Sequence, residues 1–153
     1  MKIFRLEKSI NLPITIEDCW QFFSSPKNLK VITPAYMGFN IIDVEETSMY
    51  PGQIIKYNVT PLFGINMKWV TEISHAEKNK FFVDEQRFGP YKFWHHKHIF
   101  KVMDGGVKVI DILDYALPFG FLGVLFHPYL IKPKLDEIFN YREKKLIEIF
   151  GKL

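Results

Sequence analysis

Along residues 2 to 12 the side chains alternate: Phe4, Leu6, Lys8, Ile10 and Leu12 fall on one side, Ile3, Arg5, Glu7, Ser9 and Asn11 on the other. A period of two predicts a half-buried strand, and Pro13 ends it. Thr15 is then placed as an N-cap, with Glu17 and Asp18 in the first turn and Ile16, Cys19, Trp20 and Phe23 at helical spacing. A short amphipathic helix follows from that spacing. Ser25-Pro26 opens a second short helical piece through Leu29 and Val31 that Pro34 stops. From residue 39 to 116 the pattern becomes that of strands, predicted at 39–46, 53–60, 66–77, 80–87, 91–103 and 107–116. Turn chemistry separates them at Tyr50-Pro51-Gly52, Pro61 to Gly64, Lys78-Asn79-Lys80, Gly89-Pro90 and Asp104-Gly105-Gly106. Short hairpins make these strands sequential antiparallel neighbours. After Pro118-Phe119-Gly120 the period turns helical: Leu135, Ile138, Phe139, Arg142, Leu146, Ile149 and Phe150 mark one stripe, while Pro128 and Pro133 kink or divide its first turns.

The expected fold class is therefore α+β: a seven-stranded, curved antiparallel sheet wrapped around a long C-terminal helix, with two short helices after the first strand. Only that last helix is long enough to cover the concave face. The 153 residues suffice for one core, no linker or repeat interrupts them, and a single domain over 1–153 is expected.

Composition adds a cavity to this picture. Aromatic residues reach 16%, with 15 Phe, more wide apolar surface than a small core needs. The net charge of +3 comes from 20 basic and 17 acidic residues that are scattered apart from Lys144-Lys145, which argues against a nucleic-acid partner. The single cysteine, Cys19, forms no internal disulfide and reads as a small buried apolar group. Residues 1 to 8 alternate apolar and charged, unlike a signal peptide. The longest apolar stretch, Leu117 to Phe126, is broken by Pro118, Gly120 and Gly123 and is too short for stable membrane insertion. A cytoplasmic protein, monomeric or weakly homodimeric, is expected.

The strand parities place a polar patch on the inner wall. In 91–103 the lysines Lys97 and Lys101 belong in water, so Trp94, His96, His98, Phe100 and Val102 face inward. Treating Gly89-Pro90-Tyr91 as a three-residue loop pairs residue 84 with 96 and 86 with 94, which sets Asp84 across from His96 and brings Gln86 to the same wall. Lys108 outward implies Asp111 and Tyr115 inward. His95 is expected outside, and the spacing leaves His75 and His127 out of the cluster.

Buried charges of this kind must satisfy one another, a water or a ligand. Four arrangements meet that need. One is a closed hydrogen-bond network, and another is a head-group site at the end of an apolar pocket. A third is an acid/base centre in which His96 and Asp84 move a proton while Tyr115 or His98 polarises a carbonyl. A metal site is the fourth, since His96-x-His98 puts two imidazoles on one face with Asp84 as a third ligand. A fourth protein ligand is missing, so no metal and no other cofactor is expected. Trp69 and the aromatics Phe119, Phe121 and Phe126 around Gly120 and Gly123 complete the expected ligand-binding set, the last three as a gate at the pocket mouth.

Two levels of resemblance bear on this reading. The order strand, two short helices, six strands, long helix resembles the SRPBCC superfamily, which groups START lipid-transfer domains, polyketide cyclase-like proteins, coenzyme Q-binding proteins and the birch pollen allergen type. Phe82-Val83-Asp84-Glu85-Gln86, Gly89-Pro90-Tyr91, Trp94-His95-His96-Lys97-His98-Ile99-Phe100, Asp114 to Gly123 and Ile138-Phe139-Asn140-Tyr141-Arg142 are similar to a bacterial ligand-binding subgroup. That subgroup also occurs ahead of nucleotide-sugar-epimerase-like domains. The resemblance implies an apolar cavity and the binding, transport or sensing of a lipid, quinone, polyketide or aromatic metabolite. Its cyclase branch implies a cyclase/dehydratase-type enzyme instead, using His96 and Asp84. A protein-interaction module with a vestigial cavity is the remaining possibility.

Overall fold

A computed structural model describes residues 1–43, 48–61 and 64–153. Strand β1 (Phe4–Leu12) is followed by helices α1 (Ile16–Phe23) and α2 (Pro26–Val31) and a 3-10 turn at Ala35–Met37. Then come β2 (Asn40–Asp43), β3 (Ile54–Val59), β4 (Met67–Glu77), β5 (Phe81–Phe88), β6 (Phe93–Met103) and β7 (Gly106–Ala116). Helix α3 (Gly120–Phe126), one π turn (His127–Ile131) and α4 (Lys132–Phe150) close the chain. The seven strands form one antiparallel sheet in the order β1-β7-β6-β5-β4-β3-β2. Residues 44–46 of the expected strand 39–46 lie outside the described residues, as do Leu62 and Phe63 of the expected turn.

The ends of the first helix follow from its sequence. The Thr15 side chain accepts from the backbone N–H of Asp18 at 3.1 Å and donates its hydroxyl to Asp18 Oδ2 at 2.8 Å. This satisfies a helix-end donor that would otherwise be orphaned. The buried face of α1, Cys19, Trp20 and Phe23, packs its rings against β5 and β6. Trp20 meets Phe82 and Phe100 edge-on at 6.3 and 6.1 Å. Burial pushes the Cys19 thiol up to about 12, so it is an unreactive filler of this layer.

The sheet bends where strand register slips. Between β4 and β5 the pairing runs Val70↔Phe88 then Thr71↔Gln86, and Ile73↔Asp84 then His75↔Val83. Arg87 and Ser74 are thus each an extra residue on one strand, and such bulges kink a sheet and increase its twist. At the β6–β7 hairpin, Gly106 is required by close approach, because a Cβ there would stand 2.0 Å from the carbonyl oxygen of Leu12.

Helix α4 lies across the bend with Leu135, Phe139, Arg142 and Leu146 buried, a stripe at spacings of four, three and four. Leu146 belongs to one apolar cluster with Trp20 and Val107, while Leu135 and Phe139 belong to another with Leu113 and Tyr115. The helical stretch expected after Pro118 is present as α3, the π turn and α4, with Pro128 in the π turn and Pro133 at the start of α4. The Pro118-Phe119-Gly120 turn puts Phe119 in the left-handed region at φ 64, an unusual conformation for a bulky residue. Its ring projects into solvent, 82% exposed. Among the described residues no helix is long and apolar enough to cross a membrane.

Candidate functional site

A cavity of about 140 Å³ lies between the sheet's concave face, α2 and α4. Most of its wall is apolar, with Phe39, Met49, Ile55, Val59, Ile73 and Trp69 among the contributors. The other end is polar: Asp84, His96, His98 and Arg142 meet the cavity there.

Strand alternation brings the polar group together. Asp84 on β5 is directly opposite His96 on β6, as the loop-based register requires, and His98 on β6 is directly opposite Asp111 on β7. Two imidazoles on one strand therefore stand between two carboxylates on its neighbours. His98 Nε2 donates to Asp84 Oδ2 at 2.8 Å, and His96 Nε2 donates to Asp111 Oδ1 at 3.1 Å. The His98 Nδ1 atom is 2.8 Å from the same Asp111 oxygen, off the line of a hydrogen bond. His96 Nδ1 is 3.5 Å from Asp84 Oδ2 and makes no hydrogen bond to it. The indole N–H of Trp94 donates to Asp84 Oδ1 at 3.1 Å. The expected His96–Asp84 pair thus lies within ion-pair distance but without a hydrogen bond. The hydrogen-bond partner of His96 is Asp111, because cross-strand side chains reach diagonal as well as opposite neighbours.

Burial and charge oppose each other throughout the group. Burial raises Asp84, but the charge of His96 and the hydrogen bond from His98 outweigh it and hold the carboxyl below its ordinary range. Asp111 is raised by burial and brought well below that range by the hydrogen bond from His96 and by His98. His98 is lowered by burial yet ends above 6.5, because Asp111 and Asp84 favour its cation. His96 ends below 6.5, lowered by burial and then by the charge of His98. At neutral pH, His96 is accordingly an uncharged imidazole with its proton on Nε2, and its Nδ1 lone pair is free.

Arg142 supplies what residue spacing alone did not select as a site residue. It is 8% exposed, its Nη1 is 3.9 Å from Asp111 Oδ1, and its buried Nε makes no hydrogen bond. The signal was present as a charged residue on the apolar stripe of the last helix, a position that needs a polar counterpart inside the fold. Thr71 and Tyr57 add a second small polar patch: their hydroxyls are 2.8 Å apart, and the Trp69 indole donates to Thr71 at 3.1 Å.

Trp69, Trp94, Asp84, His96 and His98 are on the cavity wall where the sequence places them. Several other expected site residues are elsewhere. Asp111 stands behind the imidazoles. Gln86 closes the β5–β6 loop, its amide donating to the Tyr91 carbonyl at 2.6 Å and accepting from the Tyr91 N–H at 3.1 Å. Phe100 is packed under α1 against Trp20 and Phe23. The Tyr115 hydroxyl pairs with His127 Nε2 at 2.7 Å, away from the cavity, and Phe4 stacks on that imidazole at 3.6 Å. His127 thus has a structural role that its position beside Pro128 did not reveal. Phe119, Phe121 and Phe126 are 82%, 76% and 50% exposed and do not line the cavity. The turn at Phe119 and Gly120 directs α3 outward, so these rings form a surface and not an inner gate. Val102, near the hairpin end of β6, is exposed as well, and His95 is half-buried against Glu85, its Nδ1 2.8 Å from Oε1.

No family model and no curated protein matches the sequence. Solved structures do match. The aromatase/cyclase Zhui from Streptomyces sp. R1128 aligns with a TM-score of 0.74 over 97% of this chain and 93% of its own, at 10% identity. Ginseng major latex-like protein 151 from Panax ginseng gives 0.66 over 97% of each chain at 12% identity. Ara h 8.0201 gives 0.62 over 96% of this chain and 99% of its own at 15% identity. All three have SRPBCC-type folds, and the expected helix-grip architecture is the one observed.

Proposed function

We propose that this SRPBCC-fold chain is a ligand-binding domain for a small, mainly apolar molecule with one polar group, which it carries or senses in the cytoplasm. One observation carries the reading: an apolar cavity ends in a buried cluster that retains unfilled polar capacity, namely the free lone pair of His96 Nδ1 and the unpaired Nε of Arg142. An apolar pocket with a few converging polar groups is the usual make-up of a small-molecule site. The volume of about 140 Å³ suits a single ring or a short chain, the scale at which an engineered cavity in another protein accepts benzene. A polyketide or quinone would require α4 to move outward.

A second reading draws on the same lone pair. A neutral imidazole oriented by a buried carboxylate is a competent general base: Asp111 fixes the ring and tautomer of His96, while burial and the charge of His98 keep it neutral. Proton abstraction from an activated carbon of a bound carbonyl compound, the type of step a cyclase or dehydratase needs, would start at His96 Nδ1. Native mass spectrometry of the protein purified from its own cells tests the first reading, with a retained small molecule as the expected result. A bound product chemically related to an added carbonyl substrate, formed by the wild type and not by His96→Gln, would favour the second. A protein that never retains an organic molecule and binds no monocyclic aromatic would defeat both.

A further inference from the structure

The side chains of Asp84, His96 and His98 each present one ligand atom to a common point, with those atoms all within 4.8 Å of one another. The atoms follow from the hydrogen bonds. Nε2 of His96 and Nδ1 of His98 face Asp111 Oδ1 at 3.1 and 2.8 Å, so the nitrogens left to converge are His96 Nδ1 and His98 Nε2. Both approach Asp84 Oδ2, at 3.5 and 2.8 Å. A first-row ion with bonds of about 2.1 Å separates neighbouring donors by about 3.0 Å at right angles and about 3.4 Å at the tetrahedral angle. The two edges bracket that range.

The geometry points to a divalent transition-metal site, of the two-histidine, one-carboxylate kind, at the polar end of the cavity. Three features beyond the donor atoms support it. Asp111 touches the far nitrogen of both imidazoles, the outer carboxylate that fixes ring orientation around a bound metal. Trp94 occupies the second oxygen of Asp84 at 3.1 Å, leaving Oδ2 as the inward atom. All three ligands line the cavity, so the remaining coordination positions open onto it, as in a site that keeps room for water or substrate. Nitrogen and oxygen donors without sulfur suit Zn²⁺, Fe²⁺ or Co²⁺. The Arg142 guanidinium on the same wall, whose Nε makes no hydrogen bond, would favour an anionic oxygen as the fourth ligand.

The site is independent of which organic molecule the cavity holds, and its test uses the metal alone. Full-length protein stripped with EDTA and then dialysed is titrated with Zn²⁺ by calorimetry and with Co²⁺ by visible absorption. One equivalent of Zn²⁺, a raised melting temperature and new Co²⁺ bands in the visible are expected. His98→Gln and Asp84→Asn should each abolish the Co²⁺ bands at the same concentrations. Asp111→Asn, which keeps all three ligands, should retain them with affinity lowered by about 10-fold to 100-fold. Folding of each variant is checked by the silence of buried Cys19 toward a thiol reagent. If a variant proves unfolded, the wild-type titration decides alone. No saturable Zn²⁺ heat in the wild type, or Co²⁺ bands unchanged in folded His98→Gln, would overturn the inference. Stripped protein that binds a small aromatic while taking up no Zn²⁺ would overturn it and leave the small-molecule reading standing.

Discussion

Asp111 Oδ1 lies 3.1 Å from His96 Nε2, and both groups are buried. The same oxygen is 2.8 Å from His98 Nδ1 and 3.9 Å from the Arg142 guanidinium. One carboxylate on β7, beside the edge strand β1, thereby fixes two imidazoles on the neighbouring β6 and faces a cation from the covering helix. Asp111→Asn should cost the metal-free protein about 3 kcal/mol in urea unfolding, the usual scale for leaving buried charge without its partner. A loss within a few tenths of a kcal/mol would mean that the cluster does not help hold the fold.

Arg142 separates the head group of a ligand from its body. Because its Nε has no hydrogen bond and its side chain is on the cavity wall, Arg142→Met should weaken benzoate by about tenfold, one charge-assisted hydrogen bond at roughly 1.5 kcal/mol. Toluene, which has no anionic oxygen, should bind with little change. Tryptophan fluorescence reads both, since Trp69 and Trp94 face the cavity. Equal weakening of the two compounds would assign Arg142 to packing alone.

The exposed rings of α3 predict a negative result with content. Substituting Phe119, Phe121 and Phe126 together by serine should leave the affinity for small aromatics unchanged in the same fluorescence titration, because those rings are outside the cavity. A tenfold loss would restore them as part of the binding site.

His127 gives a pH dependence whose sign is fixed by its surroundings. Burial, then the charges of Lys2 and Lys132, hold its imidazole below 6.5. The folded state resists protonation more than the unfolded chain does. The stability contributed by neutral His127 is complete above pH 6.5 and is lost as the pH falls through that value toward the lower folded one. His127→Gln retains an acceptor for the Tyr115 hydroxyl but does not titrate. The drop in urea stability between about pH 7.5 and about pH 5.5 should therefore be smaller in the variant than in the wild type. Equal drops would contradict the assignment.

The sheet was legible in the sequence because it rests on local signals. Alternation in β6 and β7, anchored by Lys97, Lys101 and Lys108 in water, placed His96, His98 and Asp111 inside, and the β5–β6 turn placed Asp84 opposite His96. What alternation does not contain is the reach of one side chain past its direct neighbour, which decides that His96 bonds Asp111. Nor does it contain bulges: Ser74 and Arg87 carry no glycine or proline to mark the slips at their strands. Aromatic residues were the least legible. Phe100 read as inward and as part of the ligand-binding set, yet α1 covers it and keeps it off the cavity, an outcome set by where α1 settles. Phe119 was misplaced because its left-handed backbone, which turns the ring outward, is not foreshadowed by its residue type.

The most direct test of a ligand-binding cavity is to fill it from within. Val59 is 3% exposed and lines the apolar wall, and Val59→Phe places a ring in the space assigned to the ligand. Titrating wild type and variant with p-cresol and following tryptophan fluorescence should show saturable binding in the first and at least a tenfold loss in the second, with the variant's melting transition still cooperative. Undiminished p-cresol affinity in folded Val59→Phe would contradict the cavity as the place where this protein holds its ligand.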